Sequence, residues 1–456
     1  MDADWLPTLD DQPGPLYERL LRALQADLRS GVVGGGTRLP PQRILAHRLG
    51  LSVGTVTKAY VEAERRGLVT GQVGRGTYVA HTHDEPASVD IERVIDLSRN
   101  VVPLQEASGR LIDTLSALRR RPDLLTTLDY GPPAGLERHR RAASAWLEWI
   151  AHVSLPWERL VITVGAQQGI WLALSAVCGP GDTIICESAT YFGVKTIAEL
   201  NGYQLAGVEM DDQGVLPAAL EAAVERTGAG VLYLMPTRQN PTAATMGADR
   251  RAAIVEIARR RRLWIVEDDS YALFTPDPSL VPLAALAPDR CFYVNAASKC
   301  LSPGLRVGFL ACPDDRLLEV VLKAVRASVY TPPGLGALVF ASWVEDGSGR
   351  QIAEAALAEV GRRAAIAAEA LGVDAGGSPH LWLPMPELEA ERAAGRALRA
   401  GVRLTAPEAP MVEGGGGAGL RVCLGTPAHL HELRVGLGRL KSALNADSER
   451  AEMTAV

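Results

Sequence analysis

The sequence predicts an α/β protein with an N-terminal winged helix-turn-helix domain and a larger domain built on a mostly parallel sheet. Its 456 residues are too many for one compact core, at about 150 residues per domain. The first 80 residues show three helical patterns followed by a hairpin pattern. Beyond them, short apolar runs typical of strands alternate with helix-length stretches, as in a parallel sheet with helices on both faces.

Helical periodicity and end signals place the first two helices. Five leucines between residues 16 and 28 recur at helical spacing, and Gly31 with the glycines at 34–36 ends that helix. The stretch "RLPPQRILAHRLG" begins with prolines that suit a helix start, and it buries Leu49 with Ile44 or Leu45. A tight joint at its last glycine, Gly50, predicts a helix-turn-helix pair.

A third helix and a hairpin complete the winged motif. Ser52 suits the N-cap of "VGTVTKAYVEAERRGL", and Gly67 stands where a helix often ends in a left-handed residue. The predicted buried face of this helix is formed by Val56, Ala59, Tyr60 and Ala63. The next stretch, "LVTGQVGRGTYVA", has two short β-branched runs around a glycine-rich turn, which predicts a hairpin.

A polar stretch with a proline, "HTHDEPASVDIERV", separates this domain from the rest of the chain. We therefore expect one domain at residues 1–80, a linker at 81–95 and a second domain at 96–456. The strand-like runs of the second domain are "RLVITVG", "DTIICES", "GVLYLMP", "LWIVEDD" and "CFYVNAAS". They predict a large subdomain at about 125–315, followed by a small C-terminal α/β subdomain at about 316–456.

Composition favours an ordinary globular protein, with 47% hydrophobic and 22% charged residues. No apolar run approaches the roughly 20 residues that span a bilayer, and "MDADWLPTLDDQPG" lacks the basic and apolar segments of a secretory signal. We therefore expect a cytoplasmic protein without membrane contact. The six cysteines include no C-x-x-C pair, which predicts reduced thiols rather than a disulfide or metal framework.

The net charge of −6 hides an asymmetry between the two domains. Residues 16–80 contain ten Lys or Arg against four Asp or Glu, whereas the chain from residue 81 contains 37 against 45. Modest charge runs are most often solvated faces. A basic head on an acidic body nevertheless fits a module that binds a polyanion.

Small and polar residues follow the predicted strands, at the edge where open parallel sheets bind ligands. A small-residue turn that opens a helix suits a phosphate, and an aromatic ring, a carboxylate, a phenol, a lysine and an arginine follow in turn. In chain order these residues are Gly165, Ala166, Gln167, Tyr191, Asn240, Asp268, Tyr271, Ser298, Lys299 and Arg306. Each alone is most often structural, but the whole set fits one planar, phosphorylated cofactor.

This ordered set resembles the fold-type I pyridoxal-phosphate proteins of the aspartate aminotransferase superfamily. The resemblance runs from about Asp129 to Pro313, with a further anchor at Arg421 in "GLRVCLG". It implies pyridoxal 5′-phosphate as cofactor and Lys299 as the amine that forms the Schiff base. It also implies that Asp268 pairs with the pyridinium nitrogen, so that the ring can withdraw electrons.

The same resemblance assigns the surrounding residues. Tyr271 and Asn240 would bond the 3′ oxygen of the ring, and Tyr191 would stack on the ring. The phosphate would be held by Gly165, Ala166, Gln167, Ser298 and Arg306. Arg421 would clamp a ligand carboxylate, and Tyr130 in "LDYGPPAGL" looks like the tyrosine that such dimers contribute to the neighbouring subunit's site. The expected catalytic residues are Lys299, Asp268 and Tyr271.

Two positions depart from the family pattern. Ala296 stands where many relatives have a phosphate-binding hydroxyl, and Ala243 replaces the usual glycine of Asn-Pro-Thr-Gly. Neither change removes the lysine or its carboxylate partner. We therefore expect cofactor binding to persist, while efficient turnover is in question.

The N-terminal domain resembles the GntR-type winged helix, from its Leu-Pro-x-x-Arg start to its Gly-Arg-Gly-Thr wing. The resemblance implies contacts to double-stranded DNA from the third helix and from the wing tip. The expected DNA-contacting residues are Arg43, Ser52, Thr55, Thr57, Lys58, Gly74, Arg75 and Gly76. Val53 stands where the family commonly has an arginine, which puts the operator sequence in question more than DNA binding. A protein-docking winged helix is the alternative.

A GntR-like head joined to an aminotransferase-like body resembles the MocR subfamily of bacterial transcription regulators. The resemblance implies a head-to-tail homodimer whose body senses an amino compound or the cofactor itself and changes how the heads bind an operator. Two alternatives stay open on the sequence alone. The chain is a working aminotransferase with an appended winged helix, or it responds to pyridoxal phosphate alone and never uses an amino ligand.

Overall fold

The fold is that of a computed structural model, which divides the chain into two compact units, Met1–Ile91 and Glu92–Val456. The structure describes residues 5–9, 14–29, 32–33, 37–65, 68–72, 76–79, 94–103, 105–119, 124–125, 127, 129–275, 277–412 and 417–454. Among the helices so described, none is both long enough and apolar enough to cross a membrane. All six cysteines are free thiols, and five of them are buried.

The first unit is a winged helix-turn-helix, as the sequence predicts. Its helices are α1 (Leu16–Arg29), α2 (Gln42–Leu49) and α3 (Val53–Arg65), and its strands are β1 (Val69–Gln72) and β2 (Gly76–Val79). The two strands pair antiparallel, with Val69 opposite Val79. The predicted face of α3 is buried against α1 and α2, and of the two candidates on α2 it is Leu45, not Ile44, that enters the core.

The residues predicted to end α2 and to cap α3 do so in the structure. Gly50 ends α2 with a left-handed φ of 65° and donates its amide to the last carbonyls of the helix. Ser52 caps α3, because its Oγ accepts the amide hydrogen of Thr55 at 3.1 Å. The predicted helix stop at Gly67 and the wing-tip residues Gly74 and Arg75 lie outside the described residues.

The second unit is built on a seven-stranded sheet of order β4-β12-β11-β10-β9-β5-β6. Its strands are β4 (Leu160–Thr163), β5 (Thr183–Glu187), β6 (Gln204–Val208), β9 (Val231–Leu234), β10 (Trp264–Asp268), β11 (Cys291–Ala296) and β12 (Gly308–Ala311). All five predicted strands are present. The sheet is mostly parallel, and only β12 runs antiparallel to its neighbours β11 and β4.

Helices cover both faces of this sheet. Those of the large part are α4 (Gln105–Leu118), α5 (Glu137–Ala151), α6 (Ala166–Val177), α7 (Phe192–Asn201), α8 (Pro217–Thr227), α9 (Ala248–Arg261), α10 (Leu283–Leu286), α11 (Asp315–Ser328) and α12 (Gly334–Glu345). The core on one face includes α6, α7 and α11, and the core on the other includes α5, α8, α9 and α12. A small antiparallel pair, β7 (Met210–Asp211) and β8 (Gly214–Val215), lies between β6 and α8 in the chain.

The smaller C-terminal part begins later than the predicted residue 316. Helices α11 and α12 contribute Val321 and Phe340 to the two cores of the large sheet, so they belong to the large part. The remaining elements are α13 (Ser348–Leu371), β13 (His380–Pro384), α14 (Glu387–Arg399), β14 (Val402–Arg403), β15 (Gly419–Cys423) and α15 (Leu430–Thr454).

The predicted linker also ends too late, because Ile95 already belongs to strand β3 (Ile95–Asp96). Strand β3 pairs in parallel with β14, and β13 pairs antiparallel with β15. The first described stretch of the second unit is therefore tied to its C-terminal part.

Candidate functional site

The predicted site residues meet in one pocket at the carboxyl edge of the sheet, with a volume of about 580 Å³. The predicted residues that line it are Ala166, Gln167, Tyr191, Asn240, Asp268, Tyr271, Ser298, Lys299, Arg306 and Arg421. They come from six separate stretches of the chain, and Arg421 comes from β15 of the small part. Parallel strands place these stretches together because their carboxyl ends share one edge.

Lys299 ends a short 3-10 helix (Ala297–Lys299) that directly follows β11. Burial lowers the pKa of its amine to about 8, with a further lowering by the Arg421 charge, while Asp268 and Cys423 oppose the shift. Its Nζ donates a hydrogen bond to the backbone carbonyl of Asn100 and lies 5.7 Å from the centre of the Tyr271 ring. The amine is thus held over the pocket and is easier to deprotonate than an ordinary lysine.

Asp268 is the last residue of β10 and is only 2% exposed. Burial raises the pKa of this carboxyl, while hydrogen bonds to its charged form oppose the rise. Its Oδ1 accepts from the hydroxyl of Ser270 at 2.5 Å, and its Oδ2 accepts from the hydroxyl of Tyr233 at 3.1 Å. These donors hold a buried acceptor in a fixed orientation toward the pocket.

One corner of the pocket combines a helix N-terminus with a guanidinium group. Gly165 precedes α6 with a φ of 79°, and its neighbour Ala166 opens the helix toward the pocket. The Nη2 of Arg306 donates to the carbonyl of Val164 at 2.9 Å. A β-carbon at Gly165 would lie 2.8 Å from that Nη2, so only glycine leaves the guanidinium in place. Backbone amides and one fixed cation suit a phosphate.

Tyr191 and Gln167 are bonded to each other on one wall. The hydroxyl of Tyr191 donates to Oε1 of Gln167 at 2.7 Å, and Nε2 of Gln167 donates to the carbonyl of Gly193 at 3.1 Å. The side chain of Gln167 therefore orients the aromatic ring in this structure. Burial raises the pKa of Tyr191 to about 12, and burial also raises that of Tyr271, so both phenols stay protonated.

Arg421 is 5% exposed and is held on three sides. Its Nη1 donates to Oδ1 of Asn240 at 2.6 Å, and its Nη2 donates to the carbonyl of Ser98 and to Oγ1 of Thr405, both at 2.9 Å. Its buried Nε has no hydrogen-bond partner among the described residues. Asn240 precedes a cis proline, and Ala243 adopts a φ of 60°, a left-handed conformation that favours glycine.

Several pocket residues were not predicted from the sequence. Ser270 and Tyr233 donate hydrogen bonds to the Asp268 carboxylate. Asn100 accepts from Lys299, and Ser98 and Thr405 accept from Arg421. Behind the wall, His380 on β13 is fully buried and bonds the side chain of Asn100. A lone polar residue inside the apolar strand "HLWLP" was the available signal for His380.

Tyr130 does not reach the pocket of its own chain. Its ring is 80% exposed and meets the ring of Tyr330 edge-on at 5.0 Å. It lines a separate cavity of about 240 Å³ with residues around Pro132 and Pro333.

In the first unit, the described residues among the predicted DNA contacts lie on α2, at the start of α3 and at the first residue of β2. Arg43 and Ser52 are exposed, and Thr57 donates to Oε1 of Gln42 at 2.7 Å. The ammonium of Lys58 lies 3.9 Å from the centre of the Tyr17 ring, a contact that the sequence analysis missed. Thr55 bonds the Ser52 hydroxyl, and Gly76 begins β2 with a φ of 118°.

The pocket has the donor set that pyridoxal phosphate requires. The amine at residue 299 faces a buried carboxylate, and the glycine cradle with its guanidinium suits a phosphate. The guanidinium of Arg421 also lines the pocket and suits a ligand carboxylate. Among the described residues, no cluster of His, Cys, Asp or Glu could hold a metal ion. The lysine, carboxylate and cationic corner are together suited to capturing amines through a bound aldehyde.

Comparison with known families matches both units. Residues 92–437 match the family "Aminotransferase class I and II", and residues 16–79 match "Bacterial regulatory proteins, gntR family". The uncharacterized HTH-type transcriptional regulator YdeF of Bacillus subtilis is 31% identical over 70% of both chains. The pyridoxine biosynthesis regulator PdxR of Corynebacterium glutamicum is 29% identical over 71% of both chains.

Solved structures match the second unit's fold. An archaeal alanine:glyoxylate aminotransferase has a TM-score of 0.72 and 22% identity, covering 86% of this chain and 95% of its own. The α-aminoadipate aminotransferase LysN of Thermus thermophilus, complexed with N-(5′-phosphopyridoxyl)-L-leucine, has a TM-score of 0.70 and 25% identity. That match covers 77% of this chain and 92% of LysN.

Proposed function

This chain belongs to the class I and II aminotransferase family and carries a GntR-family domain, and from that premise we propose that it senses a small molecule and regulates transcription. It is a DNA-binding regulator with pyridoxal 5′-phosphate as its cofactor. The single observation that carries the sensing proposal is the pocket in which Lys299, Asp268, Arg306 and Arg421 converge. We also propose a cytoplasmic location, which a DNA-binding role supports.

Each pocket residue has a defined task in this proposal. The cofactor, when bound, supplies an aldehyde that captures primary amines and a ring that withdraws electrons. Asp268 would pair with the ring nitrogen and keep it protonated, and Lys299 would anchor the cofactor through its amine. Arg306 and the amides at the start of α6 would hold the phosphate. Arg421 would orient a carboxylate ligand.

We propose that residues 1–80 bind the operator and that the body at 96–456 controls this binding. Charge supports it, because the head carries a basic excess and the body an acidic one. Arg43, Ser52, Thr55, Thr57 and Lys58 on the helices, with the wing at 74–76, are the proposed contacts. A ligand changes DNA binding only if it has different affinities for the two states of the body.

We further propose a head-to-tail homodimer in which Tyr130 completes the site of the partner subunit. Its 80% exposure and its distance from its own pocket support a role in trans. Two heads then bind two half-sites, and binding falls steeply with salt because several phosphates are contacted at once.

The proposal is tested with paired variants of the full chain. Lys299→Ala should abolish the borohydride-stable attachment of pyridoxal phosphate, measured as intact mass, because no amine remains in the pocket. Arg75→Ala should weaken binding to DNA from upstream of its own gene and lower the salt slope by about 1. The matched control is Arg392→Ala on α14, an exposed arginine of the body. Attachment that survives in Lys299→Ala contradicts the lysine assignment, and unchanged DNA binding in Arg75→Ala contradicts the wing role.

An aminotransferase activity is the second candidate, because the pocket retains the full lysine, aspartate and arginine set. The regulators among the relatives favour sensing as the main role. We expect only slow or half-reaction chemistry from amino donors with a keto acid. Turnover above about 1 per second, within the usual enzyme range, would favour the enzymatic alternative.

A further inference from the structure

A three-residue segment, Ser98–Asn100, accepts hydrogen bonds from two of the cationic side chains that the proposed function assigns to cofactor and ligand. The carbonyl of Ser98 accepts from Nη2 of Arg421 at 2.9 Å, and the carbonyl of Asn100 accepts from Nζ of Lys299. The segment is itself fixed at its start, because Oδ1 of Asp96 accepts from the amide and hydroxyl of Ser98 at 2.8 and 2.6 Å. The segment is therefore hydrogen-bonded directly to two pocket side chains, Lys299 and Arg421.

His380 fixes the other end of the segment from behind. Its Nδ1 lies 2.9 Å from Nδ2 of Asn100, and its Nε2 lies 2.9 Å from the carbonyl of Gln239. A carbonyl only accepts and an amide nitrogen only donates, so Nε2 carries the proton and Nδ1 accepts. Burial lowers the pKa of His380 to about 3, which keeps the ring neutral and this bonding pattern intact.

Cofactor and ligand would compete with the segment for these groups. To anchor the cofactor, Lys299 would first give one proton to solvent. Its nitrogen would then take the place of the aldehyde oxygen, which would leave with the two remaining amine hydrogens as water. The carbonyl of Asn100 would thereby lose its ammonium donor. A ligand carboxylate that binds Nη2 of Arg421 would compete with the carbonyl of Ser98, because that nitrogen already donates to Ser98 and Thr405.

We propose that Ser98–Asn100 is a switch segment, held by Lys299 and Arg421 in the free protein and released when cofactor and ligand take these groups, with His380 as its positioning residue. The inference rests on the proposed function. The segment follows β3, which is the first described element after the stretch that joins the two units along the chain.

The Asn100 carbonyl should also control when Lys299 gives up its proton. It stabilises the charged amine by accepting a hydrogen bond from it, so its loss favours the neutral amine. The other titratable groups that face Lys299 are Asp268 on β10, Tyr271, His380 on β13, and Arg421 and Cys423 on β15. Of these groups, only His380 is bonded to the Asn100 side chain, and its low pKa keeps that ring neutral whether or not the bond is present.

The first experiment measures the pH profile of cofactor attachment to the full chain, freed of cofactor. Excess pyridoxal phosphate is added at a series of pH values, borohydride stops the reaction, and intact mass gives the rate. His380→Phe keeps a ring against Tyr271 but removes both ring nitrogens. Asn100→Ala removes the side-chain amide that bonds Nδ1 of His380 and leaves the backbone carbonyl in place. In both variants the midpoint should fall by about one pH unit. His431→Phe, on the exposed start of α15, is the control and should match the wild type.

The second experiment follows hydrogen exchange of the full chain with and without pyridoxal phosphate. Peptides covering residues 94–103 should exchange faster in the cofactor-linked wild type than in the cofactor-free protein. Cofactor-free Lys299→Ala should resemble that state in residues 94–103, because it too lacks the ammonium donor.

The outcomes separate the two levels of the hypothesis. If pyridoxal phosphate does not attach to the wild type, the proposed function fails. If it attaches completely but exchange in residues 94–103 stays the same, the switch segment is refuted and the cofactor assignment stands. An unshifted pH midpoint in both Asn100→Ala and His380→Phe likewise overturns the positioning role, since a merely structural contact would lower yield without moving the midpoint.

Discussion

At the scale of single residues, burial and hydrogen bonding act against each other at Lys299. Removing an amine from water favours its neutral form, and a pKa of about 8 results. The Asn100 carbonyl and the Asp268 charge favour the ammonium form instead. The amine is therefore stored as a cation below about pH 8, and a modest change in its surroundings frees the nucleophile.

Gly165 offers a test of the phosphate corner. Gly165→Ala should weaken binding of pyridoxal phosphate about tenfold, because the new β-carbon would displace the Arg306 guanidinium from 2.8 Å away. Gly181→Ala is the matched control: its φ of 90° imposes similar backbone strain, but no atom lies within 4 Å of its β-carbon. Absorbance titration gives both dissociation constants. Equal affinities in the two variants would show that Arg306 does not hold the phosphate.

Residue types at strand ends were sufficient to predict most of the side chains that meet in the pocket. They were insufficient for the groups that orient them. Asn100 and His380 are 280 positions apart in the chain, and their hydrogen bond exists only because two distant segments meet. Local patterns cannot encode such a partnership, so the switch segment becomes visible only in the folded molecule.

At the scale of elements, helix α3 illustrates how a short cap determines a DNA-facing surface. The Ser52 hydroxyl satisfies the amide of Thr55 and lies 2.8 Å from its Oγ1. This bond fixes the first turn of the helix, where the predicted DNA contacts begin.

Loss of this cap should loosen α3 locally. Ser52→Ala should cost about 1 kcal/mol of local stability, since an amide loses its acceptor. Ser52→Asn should restore most of it, because asparagine caps equally well. Hydrogen exchange of the α3 amides in the full chain measures the effect. Identical exchange in wild type and Ser52→Ala would mean that tertiary packing, not the cap, holds the helix start.

Element types were easier to predict than element partners. Periodicity identified α1, α2 and α3 and the five central strands, because burial on one face leaves a clear pattern. It did not say that α11 and α12 pack on the large sheet, since an amphipathic helix shows that it has a buried face but not against what. The small part was therefore predicted to begin too early.

At the scale of the whole molecule, the two units divide recognition between them. The basic excess of the head suits a polyanion. The body contains a pocket lined by Lys299, Arg306 and Arg421, whose positive side chains suit small anions. Signalling requires that the two binding events share a coupled element. The proposed switch segment Ser98–Asn100 meets that requirement within the body. It is hydrogen-bonded to Lys299 and Arg421 of the pocket, and it lies just after the stretch that joins the two units along the chain.

A dimer with shared sites predicts complementation between two defective chains. Tyr130→Phe should weaken pyridoxal phosphate binding about tenfold if its hydroxyl bonds the cofactor in the partner's site. Lys299→Ala lacks the anchoring amine. In a mixed dimer, the Tyr130→Phe chain keeps its lysine and receives an intact tyrosine from its partner, so one of the two sites is complete. Differently tagged chains, purified as mixed dimers, should therefore bind about one cofactor per dimer with wild-type affinity. Tyr130→Phe homodimers that bind as tightly as the wild type would instead assign Tyr130, with its neighbour Tyr330, to a purely structural surface.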